Sequence, residues 1–162
     1  MAKIKAGQIV KRIFIGLFVI FVVIQFIHPA KNISNTVSAQ DISVLYPVPD
    51  SVQLILQKAC MDCHSNNTKY PWYDNIQPVA WWLNDHVNEG KRELNLSEFG
   101  SRTPEKQARK LKKLAKEVQE GEMPLDSYTW MHKEAVLTER EKNILIAWAS
   151  NLSEQISKQP AK

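Results

Sequence analysis

Hydrophobic positions divide the chain into two unlike parts. From Ile13 to Ile27 only Gly16 and Gln25 interrupt a run of Ile, Phe, Val and Leu, and the run has no polar face. An amphipathic core helix of a soluble protein is thereby excluded. A spanning helix wants about 20 mostly apolar residues. Ile9 and Val10 before the run and His28 to Ala30 after it extend it to a short span over residues 9–30, with Lys11 and Arg12 snorkelling to the interface. Residues 1–30 are thus read as a signal anchor. Residues 31–49, with Pro47 and Pro49 among Asn, Ser and Thr, are read as a linker.

Beyond that point the apolar positions recur at helical spacing. Val52, Ile55, Leu56 and Ala59 share a face, capped by Asp50 or Ser51, and run directly into Cys60. Pro78 opens a second helix carrying Val79, Trp82, Leu83 and His86, which Gly90 is expected to end. Thr103-Pro104-Glu105 starts a third, with Ala108, Leu111, Leu114, Ala115 and Val118 on one side and six Lys and Arg residues on the other, and Gly121 stops it. Thr138 and Glu141 form a capping box for the last helix, whose stripe is Ile144, Leu145, Trp148 and Leu152. No alternating strand pattern occurs, so residues 50–156 are predicted to be one all-α domain, with residues 157–162 a disordered tail. So short a list of apolar positions makes a thin core, of the kind that is often completed by a disulfide, a metal or a cofactor.

Charge sharpens the topology. The chain has 162 residues, 21 Lys and Arg against 17 Asp and Glu, and a net charge of +4. Four of the cations are Lys3, Lys5, Lys11 and Arg12, and from residue 13 onward the charges balance. The basicity therefore marks the cytoplasmic side of the anchor, and a nucleic-acid partner is not expected. Residues 31–162 would lie outside the cytoplasm. Small residues suited to signal cleavage, Val37 and Ala39, fall well past the apolar core, so an uncleaved anchor is preferred to a removed signal peptide.

Both cysteines fall in one pentapeptide, Cys60-Met61-Asp62-Cys63-His64, the attachment signature of c-type haem. Cysteines three apart can both meet the vinyl groups of one porphyrin, and the adjoining His64 can offer an imidazole nitrogen to the iron as proximal ligand. Covalent attachment of haem takes place outside the bacterial cytoplasm, which agrees with the anchor and points to the bacterial inner membrane, single-pass, with a periplasmic domain. A thioredoxin-like site would need a βαβ pattern, and a zinc site a further Cys/His pair; neither is present.

For the opposite face of the iron, Met123 in Gly121-Glu122-Met123-Pro124 is the preferred distal ligand, placed just after a helix end on a segment stiffened by Pro124. Met131 and His86 are the alternatives. The aromatic residues clustered after the motif, including Trp72, Tyr73 and Trp82, are candidates for the walls of a haem pocket. The carbonyl of Pro71 or Pro78 is a candidate partner for the second nitrogen of His64.

The order of Cys60-Met61-Asp62-Cys63-His64-Ser65-Asn66, Tyr70-Pro71-Trp72-Tyr73, Trp81-Trp82 with His86-Val87-Asn88-Glu89-Gly90, Leu94-Asn95-Leu96-Ser97-Glu98-Phe99 and Gly121-Glu122-Met123-Pro124 resembles the bacterial haem-binding domain family of small membrane-anchored or exported c-type monohaem proteins. The resemblance covers roughly residues 45–152. It implies a cytochrome-c-like helical fold with one haem c held by Cys60, Cys63 and His64; Met123 matches the family's Met-Pro segment, with Leu125 in place of a frequent second proline. The expected function is one-electron transfer to redox partner proteins rather than enzymatic catalysis. The alternatives are a haem sensor or peroxidase-like enzyme with an open or His86-associated distal site, and a thiol-disulfide protein without haem.

Overall fold

A computed structural model describes residues 6–158. Lys3 and Lys5, and residues 159–162 of the expected tail, lie outside the described residues. Every regular element described is helical, so the chain is all-α as its spacing predicts. It divides into two compact units: one holds the residues up to Lys31 with Tyr70–His86, the other Asn32–Lys69 with Val87–Lys162.

The first unit contains helix α1, Ala6–Ile24, which has no buried residue. At 1.5 Å per residue it is about 28 Å long, close to the thickness of a bilayer's hydrocarbon core. Among the described residues it is the one helix long and apolar enough to cross a membrane. Its end tightens: the amides of Gln25, Phe26 and Ile27 each donate to the carbonyl three residues back.

The second unit has the periodic helices, except that residues 79–86, the first part of the fifth helix, and the 3-10 turn before them belong to the first. Helix α2, Ile42–Leu45, is capped by the Asp41 carboxylate, and helix α3, Asp50–Ala59, buries Val52, Ile55, Leu56 and Ala59, the face its spacing predicts. Helix α4 is the single turn Met61–His64. Helix α5, Val79–Glu93, does not stop at Gly90. The glycine is there for packing: a Cβ on it would stand 2.5 Å from the Cys63 carbonyl oxygen. Helix α6, Pro104–Glu120, ends at Gly121 with φ 79°, a left-handed conformation that favours glycine. Helix α7 is Asp126–Met131 and helix α8 is Glu139–Ser157, the latter opened by the Thr138–Glu141 capping box. Short 3-10 turns occupy Trp72–Asn75, Leu96–Ser101 and Lys133–Ala135.

One hydrophobic cluster fills the second unit. Leu111, Ala115 and Val118 of α6 join Leu145, Ala149, Leu152 and Ile156 of α8, with Leu56 of α3, Leu96 and Phe99. Buried Ser153 of α8 donates to the Ala108 carbonyl of α6 at 2.8 Å. Residues 32–46, within the expected linker, are part of this unit. Ile42 is fully buried, Tyr46 meets Phe99 edge-on at 6.0 Å, and its hydroxyl donates to Gln107 at 2.6 Å. Spacing hides this because the apolar residues of the stretch follow no helical period, and Ile42 and Tyr46 pack inward while Ile33, Val37, Val44 and Leu45 stay exposed.

Candidate functional site

Cys60 is where α3 stops. Its amide still donates to Leu56 at 2.9 Å, but its own backbone turns (φ −128°, ψ −41°) and its carbonyl accepts from the amides of Cys63 and His64, at 3.2 and 2.9 Å. The pentapeptide is thus a tight turn hung on a helix end. Cys60 and Cys63 are free thiols, and all five residues are partly shielded from solvent. Burial, and after it the neighbouring Cys63, pushes the Cys60 thiol up to about 12; burial, and after it Asp62, pushes Cys63 up to about 11. Reactive Cys-x-x-Cys pairs work by the opposite shift, a lowered thiol pKa. Both thiols are therefore neutral near pH 7.

The imidazole of His64 is fixed. Its Nδ1 lies 2.9 Å from the carbonyl of Gly90 and 2.9 Å from that of Leu94, at the end of α5. Carbonyls only accept, so Nδ1 carries the proton and donates to them, which leaves the lone pair on Nε2. Metal-ligating histidines are held in the same way, with the second nitrogen donating to a carbonyl. The expected partners Pro71 and Pro78 are replaced by two carbonyls much farther along the chain. The absence of a side chain at Gly90 is what lets α5 come close enough to supply one of them.

Asp62, between the cysteines, is a second fixing point. Its carboxylate accepts from the Tyr128 hydroxyl at 2.8 Å and from the Lys69 amide at 3.0 Å, while its carbonyl accepts from the Thr68 hydroxyl at 2.6 Å. Burial, then the bond to Asp62, raises the Tyr128 phenol above its ordinary value. The Tyr128 ring stacks on His132, centroids 4.3 Å apart. After the motif, Asn66 donates to Glu98 at 2.8 Å and accepts from Asn95 at 2.9 Å, and its amide donates to Ser97 at 3.2 Å. This accounts for Asn-x-Ser-Glu at positions 95, 97 and 98: those side chains hold the loop leaving His64.

Met123 belongs to the same unit. It follows the Gly121 turn, its amide and that of Glu122 both donate to the Glu117 carbonyl, and its side chain is part-buried against the core that Cys60, Met61 and Tyr128 also touch. Met131 of α7 is largely exposed. Trp72, Tyr73, Trp82 and His86 fall in the first unit, with α1. There His86 holds the Trp82 carbonyl 2.8 Å from Nδ1, its ring 4.3 Å from that of Trp82.

The donor set suits a haem: two neutral, unpaired thiols three apart, an imidazole with its Nε2 lone pair free of these carbonyls, and a thioether in the same unit. Among the described residues no three His, Cys, Asp or Glu side chains come together as a metal site. Sequence reasoning missed Gly90, Leu94 and Tyr128, whose partners lie 26, 30 and 66 positions away. The one signal available was a glycine inside a helical pattern, which reads as a stop as readily as a close contact.

A family model described as a haem-binding domain matches residues 19–151. No match is found among curated proteins or among solved structures.

Proposed function

The chain belongs to the haem-binding domain family, and on that premise we propose that it is a membrane-anchored c-type cytochrome with one covalent haem and a periplasmic domain, working as a one-electron carrier. Haem binding follows from the family; attachment, anchoring and electron transfer are the proposal. The observation that carries it is the double clamp on His64 Nδ1 by the Gly90 and Leu94 carbonyls. That clamp selects the tautomer able to ligate iron and orients the ring before any cofactor arrives.

Cys60 and Cys63 would form the two thioethers and His64 Nε2 would bind the iron. Met123 would be the second protein ligand of the iron, its segment tied to the end of α6 through Glu117. Haem so held supplies an Fe(III)/Fe(II) couple, and a thioether ligand raises its potential. Asp62 and Tyr128 brace the turn that carries the thiols, so the attachment points are fixed by the fold. Helix α1 supplies the anchor, with Lys11 and Arg12 near its start matching a cytoplasmic N-terminus. A cytochrome-c-like arrangement of helices around the haem fits the all-α second unit.

The test of the ligand set is spectroscopic. The full chain, expressed in a bacterium able to mature c-type cytochromes, should be recovered in the membrane fraction and show a thioether-to-iron charge-transfer band in the oxidised state. Met123→Ala should abolish the band and open the iron to carbon monoxide. A band that persists in that variant rejects Met123, and tight carbon monoxide binding by the unmutated chain would favour the sensor or enzyme instead.

A further inference from the structure

The first unit contains a feature apart from the thiols, imidazole and thioether of the candidate haem site. The end of α1 is clasped by the segment 70–86 through paired polar contacts. Gln25 donates from Nε2 to the Gln77 carbonyl at 3.2 Å and accepts from the Gln77 amide at 2.9 Å, a reciprocal pair. The Ile27 carbonyl accepts from Gln77 Nε2 and from Trp81 Nε1, each at 2.9 Å. Gln77 is fully buried. The segment is therefore fastened to the very residues where the apolar helix ends.

Around this clasp large apolar side chains face solvent: Phe26 is 81% exposed, Trp72 72% and Trp82 46%, with Ile27 and Ile76 also exposed. Soluble surfaces carry such residues singly; five of them within a few residues of the clasp that closes an apolar helix need a cover. Beside them the same unit has a polar cleft lined by His28, Lys31, Tyr70, Asp74, Asn75 and Asn84. Within it Lys31 lies 3.7 Å from the buried Asp74 carboxylate and 4.9 Å above the Tyr70 ring.

We infer that Trp72, Ile76 and Trp82, with Phe26 and Ile27, form a collar that lies in the headgroup region of the bilayer into which α1 inserts, so that segment 70–86 is a membrane-contact element. The inference rests on the anchoring proposed above. Its physical basis is the chemistry of the interface, which takes up amphipathic indoles and apolar side chains at one level and polar groups at the next. Trp72 and Trp82 are then lipid-facing groups rather than haem walls.

The experiment uses the full chain with its haem in phospholipid nanodiscs, labelled with 5-fluorotryptophan. Fluorine lines are assigned through Trp72→Phe, Trp82→Phe and Trp148→Phe, and spectra are compared with and without lipid spin-labelled near the headgroup. The expected result is loss of the Trp72 and Trp82 lines on adding spin-labelled lipid, while the Trp148 line of α8 persists. Trp72 and Trp82 lines that survive in a chain retained by the disc overturn the collar and leave anchoring intact, and a shift of those lines on losing haem would assign them to the haem pocket. A chain that does not stay with the disc removes the anchor, and the collar with it.

Discussion

Gly90 shows how much of the site depends on one missing side chain. A Cβ there would meet the Cys63 carbonyl oxygen at 2.5 Å and the Cys63 Cβ at 3.0 Å, both parts of the turn that presents the thiols. Gly90→Ala must therefore push α5 away from the pentapeptide and loosen the clamp on His64. Overpacking of this kind costs about 1–3 kcal/mol, and we expect a lower thermal midpoint together with a perturbed haem spectrum. An unchanged midpoint and spectrum would mean that the contact is relieved at no cost. The five residues of the motif were legible because their chemistry is local. The clamp was not legible, because its carbonyls are generic backbone groups and only tertiary packing selects which two meet His64.

At the scale of elements, the periodic helices other than α5 were readable to within a residue or two. The Thr103-Pro104-Glu105 start, the Gly121 stop and the Thr138 capping box are all local devices, and each is found where the sequence puts it. The end of α5 was misplaced, since a glycine inside a helix and a glycine ending one look alike without the neighbour. That extra turn carries Glu93, which accepts from Lys113 at 3.0 Å and from Lys110 at 3.1 Å. Those two bonds, Lys113 first, hold its carboxyl at about 2, below its ordinary 4.5. The folded value is the lower one, so the stabilisation is present above about pH 4.5 and is lost as pH falls toward 2. Glu93→Gln should therefore cost less than about 1 kcal/mol at pH 7, since the group is substantially exposed. The two proteins should converge in denaturant titrations as pH drops through that window, and a gap that stays constant with pH would show that the lysines are not the cause. For the lysine-rich face of α6, these pairs make part of it an internal brace.

For the whole molecule, the division into units follows packing rather than chain order. Tyr70–His86 lies next to the haem motif in sequence, but groups with α1 through Gln77 and Trp81. The aromatic residues of this segment are legible as candidates by type alone, whereas its link to Ile27 is not, because the partner there is a backbone carbonyl with no signature. The second unit rests on one hydrophobic cluster, and a covalently attached cofactor would add to it. A haem bound to the folded state stabilises that state by mass action when reversible and by tethering when covalent. The full-length Cys60→Ala/Cys63→Ala variant should accordingly unfold at a lower temperature than the haem-loaded chain, and equal midpoints would separate the haem from the core.

The most direct test of the central claim is the intact mass of the full chain under denaturing conditions, after expression in a cell that matures c-type cytochromes. Attachment through Cys60 and Cys63 predicts the polypeptide mass plus that of one haem, surviving acid denaturation and absent from the Cys60→Ala/Cys63→Ala variant. A denatured chain at the bare polypeptide mass, with the haem released, would contradict it.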